Sequence, residues 1–228
     1  MAIIPDIAYR FSPLTYFFLA LIVIWLLVSM GQRCRSIRLA GLAGELNLQL
    51  FSRDPLGLPQ RYEQMYLFRQ GHARRARNVM IGHYQGRQLR LFDYLYETGL
   101  GQDRGTQQFS VVIMQVSRDL PGLLVQPRAT ERRQYNLSGM DQIKLPGITD
   151  QQGYTVFCES AGFAQDYISE EILQNLRQCE QTSLEVQDGV LALYAPGKLK
   201  AGKYRQLRGL ASELAEYLTG DNPQTGRS

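Results

Sequence analysis

The sequence predicts an α+β protein: an N-terminal transmembrane helix followed by a mainly antiparallel-sheet domain with late helices. Three observations carry that class. Phe11 to Met30, "FSPLTYFFLALIVIWLLVSM", holds no charged residue. From about Val79 the apolar pattern alternates with a period of two and is punctuated by the turn dipeptides Gln85-Gly86 and Asp188-Gly189. Helical spacing returns only in the last third of the chain, so strands come first and helices interrupt them late. The 228 residues, 44% hydrophobic and 20% charged, suffice for one domain of roughly 150 to 200 residues plus an accessory segment.

The apolar run at ~1.5 Å per residue would reach ~30 Å, the thickness of a bilayer core. Pro13 falls in its first turn, where a missing N–H costs least. A cleaved signal peptide fits less well, because the core is long and "VSMGQRCRSIR" offers a poor cleavage site. Arg33, Arg35 and Arg38 on the C-terminal flank outweigh Arg10 on the other. The positive-inside rule therefore expects an inner-membrane protein, integral and single-pass, with its C-terminal domain cytoplasmic. The domain plan is a 1–32 anchor, a 33–65 juxtamembrane helix and linker, a 66–219 α+β domain and a disordered 220–228 tail.

Leucines at 39, 42, 46 and 50 predict a helix over Leu39 to Phe51, broken by Pro55, Gly57 and Pro59. "NVMIGHY" and "RQLRLFDYLY" then form a hairpin about Gln85-Gly86, with Tyr84 facing Arg87 and His83 facing Gln88. On the second strand Leu89, Leu91, Asp93 and Leu95 share one face, while Arg90, Phe92, Tyr94 and Tyr96 share the other. "QFSVVIMQVSR" is a central strand and "PGLLVQPR" a further one, together a meander. Arg128 to Asp150 reads as mostly loop, and "YTVFCES" as a strand. Ser169 caps a helix with Ile172, Leu173 and Leu176 on its apolar stripe. A hairpin about Asp188-Gly189 follows, and then a helix from Tyr204 to Leu218.

The run from Arg69 to Gly99, "RQGHARRARNVMIGHYQGRQLRLFDYLYETG", resembles a family of bacterial single-pass membrane-anchored proteins of unknown function. Asn78, Val79, Gly82, Tyr84, Gly86, Phe92, Asp93, Tyr94 and Gly99 carry the likeness. It covers about half the chain. It implies one membrane anchor and a small α+β domain, and no activity.

Composition excludes several classes. A net charge of +4 with a pI near 9.0 falls short of the clustered excess of a dedicated nucleic-acid binder. Cys34, Cys158 and Cys179 are too few and too widely spaced for a disulfide framework or a zinc site, and reduced thiols fit a cytosolic location. Cys34 reads as a plain juxtamembrane thiol and Cys158 as a core thiol. His72 and His83 lack acids at ligand spacing, so no metal is expected. His83 and Asp93 stand roughly 17 Å apart along the proposed hairpin, too far for a catalytic pair. Nucleophile-elbow and phosphate-loop motifs are absent, and "GLGQDRG" lies between strands, where a dinucleotide fingerprint has no helix to open. No cofactor is expected.

The candidate binding residues are arginines. Between Glu63 and Asp93 there is no acid, while Arg69, Arg74, Arg75, Arg77, Arg87 and Arg90 all fall inside. Such a window raises a local positive potential. It suits anionic lipid at ~1 kcal/mol per basic residue, or an acidic protein. Nucleic acid is disfavoured, because stacking aromatics are not interleaved. The bland reading is a solvated strand face with arginines paired to distant acids. Asp93, among leucines, calls for a cationic partner rather than a catalytic role. The function expected is a membrane-anchored binding or scaffold protein. The alternatives are a membrane-tethered enzyme of undetected class or an extracytoplasmic domain.

Overall fold

The computed structural model describes residues 13–117, 119–128, 139–148, 153–179 and 181–219. In chain order these form α1 (Pro13–Glu45), β1 (Gln49–Arg53), α2 (Leu58–Arg61), α3 (Tyr66–Arg69), β2 (His72–Tyr84) and β3 (Arg87–Thr98). They continue with β4 (Gly105–Gln115), β5 (Leu123–Pro127), β6 (Asp141–Ile143), β7 (Tyr154–Cys158) and α4 (Ala161–Tyr167). The last elements are α5 (Glu170–Gln178), β8 (Ser183–Gln187), β9 (Val190–Pro196) and α6 (Ala201–Thr219). One nine-stranded sheet runs in the order β1-β2-β3-β4-β9-β8-β5-β7-β6, and every pairing is antiparallel. The α+β class and the antiparallel sheet stand.

The transmembrane part of the expectation does not. Among the described residues no helix is long and apolar enough to cross a membrane. In α1 the side chains from Leu14 to Leu26 are exposed. The same helix continues into the domain, where Leu39, Leu42 and Ala43 are buried in the main core. The single-pass anchor is therefore withdrawn. The side chain of Cys34 and the 220–228 tail lie outside the described residues, as does most of the expected loop between Arg128 and Asp150.

α1 also stops earlier than leucine spacing suggested. Asn47 takes a left-handed φ of 52°, Asn47 N donates to Gly44 O at 3.2 Å and Leu48 N to Ala43 O at 2.7 Å. This is a Schellman ending, which satisfies the last carbonyls and turns the chain outward. Residues 49 to 51, expected to end that helix, instead open β1 (Gln49–Arg53) on the sheet edge, with Phe51 opposite Val79 and Arg53 opposite Arg77.

The two hairpins fall where turn chemistry placed them. Gln85 and Gly86 both take positive φ, 48° and 76°, as a type I′ turn demands, and Tyr84 pairs with Arg87 and His83 with Gln88. Strand β2 begins at His72, seven residues before the alternation becomes legible at Val79, because its first half is arginine-rich. The meander breaks after β4: the β8–β9 hairpin inserts between β4 and β5. A short helix, α4, capped by Ser160 Oγ accepting from Phe163 N, and the three-residue β6 had no distinct sequence signal.

The sheet separates two cores. On one face α1, α4, α5 and α6 cover Leu89, Leu91, Val112 and Leu193. On the other α2 and α3 cover Phe92, Tyr94, Val111 and Ala192 through Leu58, Tyr62 and Phe68. The alternation read along β3 decides which residue joins which core.

Candidate anion-binding cleft

Asp93 lies at the centre of β3, 1% exposed, on the face covered by α1 and α6. Burying a carboxylate requires partners, and four elements deliver them. Arg35 of α1 forms a two-pronged ion pair, Nε to Oδ2 at 3.1 Å and NH2 to Oδ1 at 2.5 Å. Asn78 Nδ2 of β2 donates to Oδ2 at 2.8 Å. The Tyr204 hydroxyl of α6 lies 3.0 Å from Oδ1 and 3.0 Å from the Phe92 carbonyl. Ser110, opposite Asp93 on β4, accepts from Leu199 N at 2.9 Å and donates to Gly197 O at 3.0 Å. Arg35 NH1 donates to Leu199 O at 2.7 Å. Burial, first, and the adjoining Asp93 charge push the Tyr204 hydroxyl well above the ordinary tyrosine range. It stays a neutral donor.

A bulge makes this geometry. Arg77 faces Asp93 and Met80 faces Leu91, so Asn78 and Val79 together oppose Phe92. Asn78 absorbs the bulge at φ 51°, a left-handed conformation that asparagine tolerates better than most residues.

Beside this node opens a cleft of about 570 Å³ lined by Arg35, Ser36, Arg53, Arg77, Asn78, Asp93, Gln108 and Lys198 among others. Its cations come from α1, β1, β2 and the β9–α6 connection. Arg53 and Arg77 are opposed in register on neighbouring strands, an arrangement that destabilises a sheet unless something neutralises it. Both are exposed, as is Lys198, and among the described residues none of the three makes an ion pair. Among the described residues Asp93 is the one carboxylate in the wall, and Arg35, Asn78 and Tyr204 already hold it. The cleft therefore presents uncompensated positive charge over a polar floor.

The six arginines of the acid-free window do not share one face. Arg77 alone lines the cleft. Arg75 reaches Glu97 Oε1 at 3.0 Å, and Arg104 bonds the other oxygen. The Arg104 hydrogen bond, first, then Arg104 and Arg75 charge, hold Glu97 below the usual carboxylate range. Arg69 and Arg74 donate to backbone carbonyls, including Gln64 O at 2.5 Å and Arg69 O at 2.9 Å. Arg87 reaches Thr219 Oγ1 at 3.1 Å near the end of α6. Arg90 points through the sheet to the opposite core and is buried. Asp93 does find an arginine, but from α1 rather than from the window.

Sequence reasoning missed Arg35, Arg53 and Lys198 as site residues, since they lie 58, 40 and 105 positions from Asp93. No local signal marks them. His72 Nε2 sits 2.9 Å from Gly99 O, and His83 is exposed on the hairpin. Cys158 is buried, and burial raises its thiol pKa, which disfavours the nucleophilic thiolate. Among the described residues no group of three or more His, Cys, Asp or Glu could hold a metal.

Fold and cleft together define an α+β protein with one antiparallel sheet and a basic cleft where its N-terminal helix meets that sheet. No protein family matches the chain, and no curated protein matches it. Among solved structures it is similar to the mycobacterial trehalose monomycolate transport factor A, TtfA, with a TM-score of 0.64 and 9% identity. The alignment covers 82% of this chain and 95% of that one. At that identity the likeness concerns the fold.

Proposed function

We propose that the chain is a binding or scaffold protein that engages anionic lipid surfaces through the cleft at the foot of α1. The observation that carries the reading is the set Arg53, Arg77 and Lys198. Three exposed cations line one cleft, and Asp93, the one carboxylate among its described lining residues, is held from within. An anionic headgroup supplies the missing charge. Two further features favour lipid over an acidic protein. Leu14 to Leu26 of α1 leaves large apolar side chains 45–68% exposed, on the helix that carries Arg35 into the cleft, so an apolar surface adjoins a cationic one. A contiguous apolar surface of this kind marks a lipid or protein contact. The solved structure to which the chain is similar is a trehalose monomycolate transport factor.

At about 1 kcal/mol per basic residue near an anionic surface, three cations contribute about 3 kcal/mol. That is on the order of a hundredfold in affinity. Flotation of the full chain with anionic and with zwitterionic vesicles over a salt series tests this. The apolar segment contributes equally to both vesicle types, so the measured quantity is the anionic preference. A preference of that order, falling with salt, is expected. Equal binding to both vesicle types at low salt would contradict the reading.

A further inference from the structure

A second cleft, on the other face of the sheet, is bordered by a buried guanidinium that makes no ion pair among the described residues. Arg90 is 8% exposed. Its guanidinium has neutral acceptors: NH1 donates to the Tyr62 hydroxyl at 2.8 Å and NH2 to Gln88 Oε1 at 2.8 Å. Its carbon lies 5.9 Å from the Tyr62 ring centroid. The buried Nε has no partner, and among the described residues no carboxylate pairs with the side chain. Buried charges are ordinarily paired, and an arginine left with a dangling donor is the kind of exception that asks for a missing group.

Arg90 also borders a cleft of about 450 Å³, with Arg61, Gln64, Gln115 and Asp188 on other walls. The walls come from α2 and the segment after it, β3, β4 and the β8–β9 hairpin, so distant parts of the chain build it. Asp188 is exposed on that turn and makes no ion pair with Arg90. Ile113, opposite Arg90 on β4, supplies an apolar wall. Two guanidiniums, carboxamide donors and one apolar surface are the complement of a small oxyanion carried on a compact organic body. Arginine takes carboxylate or phosphate oxygens in its planar fork.

We infer that the Arg61–Arg90 cleft is a binding site for a small oxyanion, a carboxylate or a phosphate group. It is separate from the lipid-facing cleft and independent of that reading, because the sheet lies between them and they share no lining residue.

Calorimetric titration of the full chain with inorganic phosphate and, separately, with acetate tests the inference and names the class by whichever probe binds. Saturable binding of at least one probe is expected. Arg90→Met should weaken it at least tenfold and Arg61→Ala severalfold, while Arg53→Glu with Arg77→Glu leaves it unchanged. Should Arg90→Met fail to fold, Arg61→Ala carries the test, since Arg61 is exposed. No saturable binding by either probe would overturn the inference. So would binding that survives both Arg90→Met and Arg61→Ala, or that follows Arg53 and Arg77 instead.

Discussion

Asp93 and Glu185 are both buried carboxylates, 1% and 2% exposed, yet their surroundings set them apart. Asp93 sits against the Arg35 guanidinium at 2.5 Å. Removing one member of a buried pair leaves the other uncompensated, at about 3–5 kcal/mol. Arg35 retains some solvent contact, so Asp93→Ala is expected near the lower end. Chemical denaturation should show the midpoint falling at constant slope, and a shift equivalent to under ~1 kcal/mol would show that the pair does not organise the cleft. Among the described residues no cation lies at bonding distance from Glu185. It accepts from the backbone N–H of Tyr66 and of Leu67, where α3 begins. Burial dominates, and only partly opposed by the Leu67 amide and the more distant Arg69 charge, it raises the carboxyl to about 8. The folded chain therefore keeps a proton that the unfolded chain releases near 4.5. Stability should fall as pH rises between about 4.5 and 8. Glu185→Gln should flatten that stretch of the stability–pH curve, and an unchanged slope would place the titration elsewhere.

At the scale of elements, what sequence could show depended on whether the signal was local. Both hairpins were legible because Gln85-Gly86 and Asp188-Gly189 supply the positive φ values their turns need. The cap of α5 was legible as well: Ser169 Oγ accepts from Ile172 N at 3.3 Å, and Ile172, Leu173 and Leu176 are buried. Ser169→Ala should cost about 1 kcal/mol in thermal denaturation, and no change would mean that packing alone holds α5. The misreadings share a cause. The leucine spacing from 39 to 50 is real, but a left-handed Asn47 ends the helix inside it. The first half of β2 was hidden because arginines occupy its strand positions: Arg74 and Arg75 are received by a carbonyl and a carboxylate, and Arg77 lines the cleft. The place of β5 beside β8 and β7 follows from pairings across tens of residues, which no local pattern encodes.

At the scale of the molecule, α1 joins two surfaces. Its N-terminal half displays Leu14 to Leu26 outward, and its C-terminal half buries Leu39 and Leu42 while passing Arg35 to Asp93. The acid-free window pointed to positive charge, and one of its six arginines, Arg77, lines the cleft. The other cations of the site, Arg35, Arg53 and Lys198, are brought in by α1, β1 and the β9–α6 connection, so composition could suggest an anionic partner without locating where it binds. On the proposed reading this cleft, rather than the protein's overall charge, recognises the lipid surface. The most direct measurement compares two charge-matched variants of the full chain on anionic vesicles: Arg53→Glu with Arg77→Glu in the cleft, and Arg74→Glu with Arg205→Glu outside it. The first pair is expected to abolish most of the anionic preference and the second to lower it only slightly. Equal losses from the two pairs would show general electrostatic attraction and rule out recognition by the cleft.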